Sequence, residues 1–214
     1  MKRIALVTGG VGGIGTAICL KLASQGNFVI ANYAIEGSQA KWQAAMEKAG
    51  FSEQSALAFG DVSDFDAMGA MIRQIESKHG PVEILVNCAG ITRDSTFRKM
   101  TLEQWRAVMS TNLDSAFNVT RHVVEGMLER GWGRIINISS VNAVRGQFGQ
   151  TNYAAAKAGL LGFTKSLAQE VVRKGVTVNA VSPGYVETDM VMAIREDVRQ
   201  KIVAEIPAGR LAQP

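Results

Sequence analysis

The chain has 214 residues, 47% of them hydrophobic and 20% charged, with 22 Gly but only 4 Pro, a composition that describes one compact domain and excludes disorder and collagen-like repetition. Its formal net charge of +4 comes from 23 basic and 19 acidic residues spread along the whole length, so no clustered basic face recommends a nucleic acid partner. Its two cysteines, Cys19 and Cys88, stand far apart without C-x-x-C spacing, which fits a reduced cytosolic protein and argues against a disulfide framework or a structural zinc site.

Short apolar, β-branched runs alternate with longer stretches of helical period, the pattern of βαβ units around a parallel sheet covered on both faces. A first strand is predicted over Ile4–Val7; this apolar run after Met1-Lys2-Arg3 stops at Thr8-Gly9-Gly10, too early for a secretory leader. A helix over Gly13–Gln25 follows, then a strand over Phe28–Asn32 and a helix over Ser38–Ala49. The third strand, Ser55–Phe59, leads to a helix over Asp64–Lys78, and the fourth, Ile84–Val86, to a long helix over Thr101–Glu129. The fifth strand, Arg134–Ser139, precedes a helix over Tyr153–Lys174; the sixth, Thr177–Val181, precedes a short helix within Asp189–Glu205. No low-complexity linker or further repeat divides the chain, so residues 1–214 read as a single α/β domain with one doubly wound parallel sheet. No stretch approaches the roughly 18 apolar residues of a membrane span, and a cytoplasmic protein without a membrane partner is expected.

The first strand ends in Thr8-Gly9-Gly10-Val11-Gly12-Gly13-Ile14-Gly15. Glycines at a strand-to-helix turn let the backbone approach a pyrophosphate and aim N–H groups and the helix dipole at it. The spacing G-x-x-x-G-x-G differs from G-x-G-x-x-G, and a turn serving only close helix–strand packing is the alternative. Ligands of open α/β sheets bind beyond the carboxyl ends of the strands. At the end of the second strand a carboxylate would bind ribose hydroxyls and repel a 2′-phosphate. Here Asn32 and Tyr33 stand in that place, Glu36 comes later, and Lys41 is the nearest base downstream. NADP (NADPH) is therefore the expected cofactor and NAD the alternative. Asp61 and Val62 follow the third strand, where Asp61 could hold an adenine or cap the next helix. Asn87-Cys88-Ala89-Gly90 follows the fourth strand and Ser182-Pro183-Gly184 the sixth, on the same rim.

Tyr153 and Lys157 stand at i and i+4, on one face of a helix. An ammonium beside a phenol lowers its pKa from near 10 towards the range of a general acid–base. Ser140 ends the preceding strand and can return to that rim to donate a hydrogen bond to a substrate carbonyl. A methyltransferase would be expected to place an acid where Asn32 and Tyr33 stand. A P-loop nucleotidase would need Gly-Lys-Ser/Thr after the turn, and a serine hydrolase G-x-S-x-G with a suitable His. His79 and His122 read as surface or helix residues.

Taken in order over nearly the whole chain, Thr8-Gly9-x-x-x-Gly13-Ile14-Gly15, Asp61-Val62, Asn87-x-Ala89-Gly90, Asn112, Ser140, Tyr153-x-x-x-Lys157 and Pro183-Gly184 with Thr188 resemble the short-chain dehydrogenases/reductases. Two positions depart from the family: Cys88, where a second Asn is usual, and Gly12, where many NADP-using members carry Arg or Lys. The resemblance implies a Rossmann-like fold and a nicotinamide cofactor held by the glycine turn, Asp61, Val62, Asn87, Ala89, Gly90, Tyr153, Lys157, Pro183, Gly184 and Thr188, with Asn32 alongside. It implies that Tyr153 protonates the carbonyl oxygen, that Ser140 holds that oxygen, and that Lys157 binds the nicotinamide ribose while lowering the Tyr153 pKa. Asn112 would kink its helix and hold a water in the proton relay.

Gly90-Ile91-Thr92-Arg93-Asp94 with Phe97-Arg98-Lys99-Met100 resembles the β-ketoacyl thioester reductases, of fatty-acid and of polyhydroxyalkanoate synthesis alike. Gly146-Gln147-Phe148-Gly149-Gln150-Thr151-Asn152-Tyr153, Arg130-Gly131-Trp132-Gly133-Arg134 and Ser182-Pro183-Gly184-Tyr185 are more similar to the acetoacetyl-CoA reductases. The expected activity is thus reduction of acetoacetyl-CoA; a 3-oxoacyl-(acyl-carrier-protein) reductase is the alternative, and a non-catalytic nucleotide-binding or redox-sensing protein the alternative of another class. Phe148 and Tyr185 are candidates to enclose a short acyl chain, Gln147 and Gln150 to offer amides to the thioester or pantetheine, and Asp94 and Lys99 complete the candidate substrate residues. Arg130 and Lys174, which could dock an acidic carrier protein, do not discriminate. Small residues along the Tyr153–Lys174 helix, beside the long Thr101–Glu129 helix, suggest a homodimer or homotetramer. Relatives continue past Pro214 through another helix and strand, so the chain is expected to represent a longer protein, here without that edge strand.

Overall fold

All five residues of the first strand, β1 (Ile4–Thr8), are buried, as a strand with helices packed on both faces requires. The computed structural model describes residues 2–214. After β1 come α1 (Gly13–Ser24), β2 (Phe28–Tyr33), α2 (Ala40–Lys48), β3 (Ser55–Phe59), α3 (Phe65–His79) and β4 (Val82–Asn87). The second half holds α4 (Leu102–Met109), α5 (Ser115–Glu129), β5 (Gly133–Ile138), α6 (Asn142–Arg145), α7 (Thr151–Val171), β6 (Val176–Val181), α8 (Asp189–Met192) and α9 (Glu196–Glu205). The strands form one six-stranded sheet in the order β3-β2-β1-β4-β5-β6, parallel throughout. The chain winds outward from β1 to β3, then returns to pair β4 with β1, so a crevice opens where the winding reverses.

Alternate residues of each strand feed two cores. Leu6, Ile30, Leu85 and Ile135 pack with Met68 and Ile72 of α3, Val119 and Val123 of α5 and Val171 of α7. Ala5, Val7, Val29 and Val86 pack on the other face with Cys19 and Ala23 of α1 and Trp42 and Met46 of α2. A buried polar belt crosses the first core: Asn87 Nδ2 donates to Asn137 Oδ1 at 2.8 Å and to Thr120 Oγ1 at 3.2 Å, and Asn137 Nδ2 donates to Thr164 Oγ1 at 2.8 Å. It ties β4 and β5 to α5 and α7.

Two predicted helices differ in outline. The one expected over Thr101–Glu129 is divided into α4 and α5 by a π turn over Ser110–Asp114, because Asn112 turns inward at that point and widens the helix. Thr101 is the N-cap, its hydroxyl accepting from Gln104 N while Gln104 Oε1 accepts from Thr101 N. The stretch within Asp189–Glu205 forms two helices, α8 and α9. The helix α6, four residues long, was not expected from the sequence. Among the described residues no helix is long and apolar enough to cross a membrane.

Candidate active site

At the end of β1 the Thr8 hydroxyl accepts from the N–H groups of Cys88 and Ala89 at 3.0 and 3.1 Å, joining the first turn to the end of β4. Gly9 has φ 59°, and a Cβ there would lie 2.8 Å from Ala89 Cα, so only glycine fits. A Cβ on Gly15 would lie 2.3 Å from the Gly9 carbonyl oxygen, which is why α1 can start so close beneath the turn. Gly12, the N-cap of α1, offers no side-chain cap, and the first turn carries no acid. With Gly12 and Gly13 exposed, the uncapped N–H groups and the positive end of the helix suit a pyrophosphate. Ile14 lines the adjoining cleft.

Two expected cofactor residues lie beneath this rim rather than on it. Asn32 is only 2% exposed; its Nδ2 donates to Gly60 O at 2.9 Å, and its Oδ1 accepts from Gly9 N at 3.4 Å. Asn87 is turned into the buried polar belt. The Asn32 side chain therefore positions backbone and that of Asn87 ties β4 to β5 and α5, so neither side chain is presented at the rim as expected, and the end of the second strand offers Tyr33 and Ala34 there instead. Asp61 is exposed, its Oδ1 accepting from Ser63 N and Oγ. It is Asp64 that caps α3, through Ala67 N. Val62 is buried, and its carbonyl accepts from Asn118 Nδ2. Ala89 and Gly90 are half-buried on the rim. A Cβ on Gly90 would lie 3.5 Å from both Asn112 Oδ1 and Lys157 Nζ.

Asn112 clamps the next residue of that turn, Oδ1 accepting from Ile91 N at 2.8 Å and Nδ2 donating to Ile91 O at 2.9 Å. Ser140 Oγ accepts from Asn142 N at 3.2 Å, which leaves the hydroxyl proton free to point outward. Tyr153 lies in the first turn of α7, its N–H bonded to Asn152 Oδ1. Asn152, fully buried and not singled out from the sequence, also donates to Arg93 O at 3.0 Å and so fixes the loop after β4 to α7. Lys157 is buried, its ammonium donating to Ile138 O at 2.8 Å and lying 5.9 Å from the Tyr153 ring centroid.

The electrostatics correct one expectation. Burial raises the Tyr153 pKa above 10.0; the Ser140 hydroxyl partly opposes this, while Asp94, Cys88 and Tyr185 add to it. Burial also lowers Lys157 to about 8. Burial is the first cause for both groups, and it shifts each towards its neutral form, opposite to the lowering expected for the phenol. Burial pushes the Cys88 thiol up to about 11 despite the pull of Lys157, which disfavours the thiolate a nucleophile would need.

Ser140 and Tyr153 open into a cleft of about 190 Å³ that Asp94, Gln150, Tyr185, Gly184 and Thr188 also line. Its apolar wall comes from Ile14, Val141, Val186, Val191 and Ile194. Pro183 O accepts from Val141 N at 2.9 Å, and a Cβ on Gly13 would lie 2.8 Å from Thr188 Cγ2, so the loop after β6 closes onto the glycine turn. Lys99, Gln147 and Phe148 do not line the cleft. Gly146 and Gly149, with φ 75° and 79°, turn their loop outward, and Phe148 is 86% exposed. The expected enclosure of an acyl chain by Phe148 is corrected; Val191 and Ile194, on the segment after β6, supply apolar surface in its place.

Residues 3–199 match the sequence profile of a family described as short chain dehydrogenase. An acetoacetyl-CoA reductase of Allochromatium vinosum is 59% identical over 100% of this chain and 87% of its own length. One of Cupriavidus necator is 56% identical over 100% of this chain and 86% of its own. A 3-oxoacyl-(acyl-carrier-protein) reductase of Vibrio harveyi is 43% identical over 99% of this chain and 85% of its own.

Proposed function

This chain belongs to the short-chain dehydrogenase family and is an NAD(P)-dependent oxidoreductase, and from that premise we propose that it reduces the keto group of a 3-ketoacyl thioester, acetoacetyl-CoA above all, with NADPH. The observation that carries the reading is the Tyr153 phenol sharing one cleft with the Ser140 hydroxyl and an oriented carboxamide, that of Gln150.

The chain's groups suit the cofactor. The uncapped start of α1 would hold the pyrophosphate, Asp61 and Val62 the adenine end, and Ala89, Gly90 and Lys157 the nicotinamide ribose, with Pro183, Gly184 and Thr188 against the nicotinamide. When bound, the nicotinamide supplies hydride to the carbonyl carbon. NADPH is favoured because no carboxylate stands at the end of β2 to repel a 2′-phosphate.

Tyr153 donates its phenolic proton to the carbonyl oxygen. Ser140 holds that oxygen with its hydroxyl proton, since one lone pair of Oγ is taken by Asn142 N. Lys157 places a cation behind the phenolate that results, and Asn112 keeps the Gly90–Ile91 turn in position. Because the Asn112 side chain is committed to Ile91, a relay water would have to meet its main chain. We further propose a cytoplasmic homodimer or homotetramer.

Absorbance at 340 nm with NADPH tests the reading. Wild type oxidises NADPH with acetoacetyl-CoA, while Tyr153→Phe loses about 10²–10⁴-fold in kcat with its melting temperature unchanged. Turnover only with carrier-protein thioesters would move the substrate class to that of the Vibrio harveyi relative. No turnover with either thioester, or an undiminished Tyr153→Phe, would sink it.

A further inference from the structure

Asp94, Gln150 and Asn142 form one chain of hydrogen bonds along the cleft. Gln150 Nε2 donates to Asp94 Oδ2 at 2.9 Å, and Gln150 Oε1 accepts from Asn142 Nδ2 at 3.0 Å. The direction of the chain is dictated by charge. An ionised carboxylate only accepts, so Gln150 must turn its N–H₂ edge to Asp94 and its carbonyl to Asn142. Asn142 must then present its own N–H₂, which leaves Asn142 Oδ1 buried and without a partner. A buried orphan acceptor is unfavourable, and reversing the amides to relieve it would set Gln150 Oε1 against the Asp94 carboxylate. Gln150 keeps a second Nε2 proton that Asp94 does not use, on a side chain lining the cleft beside Ser140 and Tyr153.

We infer that Asn142 is a positioning residue that, together with Asp94, locks the Gln150 carboxamide as a donor to the thioester carbonyl, so that the cleft selects ketones bearing a second carbonyl two carbons away. The inference rests on the thioester reading above. Asn142 serves both carbonyls by separate groups: its main-chain N–H orients Ser140 for the ketone oxygen, and its side chain orients Gln150 for the thioester. Truncating the side chain therefore disturbs the second contact and spares the first.

The test uses Asn142→Ala, Asn142→Asp, Asp94→Asn and the double variant Asp94→Asn/Asn142→Asp. Asn142→Ala raises KM for acetoacetyl-CoA about tenfold with kcat within about threefold, and lowers the preference for acetoacetyl-CoA over a simple methyl ketone by a similar factor. Asn142→Asp confronts Gln150 with a carboxylate at each end, and its melting temperature falls. The double variant has one carboxylate again, so it regains the melting temperature. It does not regain KM, because the carboxamide now presents its opposite edge. A merely structural role would restore both together, and that result would overturn the inference, as would an unchanged KM in Asn142→Ala. If wild type reduces no 3-ketoacyl thioester, the functional reading fails and, with it, the selectivity assigned here. The bonded chain is then judged alone by the melting temperatures, where additive single and double variants would overturn it as well.

Discussion

Lys157 and Tyr153 sit one helical turn apart, and the environment moves their pKa values in opposite directions and apart, the ammonium down to about 8 and the phenol above 10.0. Each shift arises first from burial, which disfavours whichever form is charged. For Lys157 the consequence reaches folding. Between about pH 8 and the ordinary 10.5 the unfolded chain holds a proton that the folded chain has released, so stability rises with pH across that window. The gain approaches about 3 kcal/mol for one group. Cys19, pushed up to about 12 from 9.0, acts in the opposite sense above pH 9, so the contribution of Lys157 is read as a difference. Urea unfolding of wild type and Lys157→Met between pH 7 and 10.5 shows the wild type gaining on the variant as pH rises; parallel curves would show that no buried cation is being relieved. The spacing of the pair was legible in the sequence because i and i+4 share a helix face. The sign of the phenol's shift was not, since it depends on burial by segments distant in the chain.

The glycine turn shows how one element sets the geometry of the next. A Cβ on Gly15 would lie 2.3 Å from the Gly9 carbonyl oxygen, a backbone atom that no rotamer change can move, whereas a Cβ on Gly12 would meet only the Gly9 oxygen, at 3.4 Å. Gly15→Ala therefore costs about 1–3 kcal/mol and weakens NADPH binding at least about tenfold by lifting the start of α1. Gly12→Ala stays within about 0.5 kcal/mol of wild type. Chemical denaturation and NADPH fluorescence titration compare them, and equal losses would contradict the packing described. Strands and helices flanking this turn were legible from hydrophobic period. The π turn within Thr101–Glu129 was not, because its residues Ser110–Asp114 include a single apolar one, Leu113, too little to show a change of period, and only the inward Asn112 marks the break. Nor was α6, whose four residues are too few to show a period.

On the scale of the whole molecule, α7 presents a buried face with Ala156, Lys157 and Leu160 and an exposed one with Ala155, Ala158 and Gly162. Small side chains at that spacing let a second helix approach closely, and an assembly through this face follows from the proposed oligomer. Light scattering gives wild type the mass of a dimer or tetramer, and Ala158→Arg lowers it towards the monomer without changing the far-ultraviolet spectrum. A monomeric wild type would remove the basis for that assembly. The sequence alone determined the alternation of strands and helices, the parallel sheet and the residue types at the strand ends, because these follow from local period and from glycine and polar punctuation. Only the tertiary structure decided which of those residues face the cleft. It sent Asn32 and Asn87 beneath the rim, turned Phe148 outward, and joined Asp94 to Asn142 through Gln150, because the direction in which a loop side chain points is set by the packing of segments that meet only when the sheet has formed.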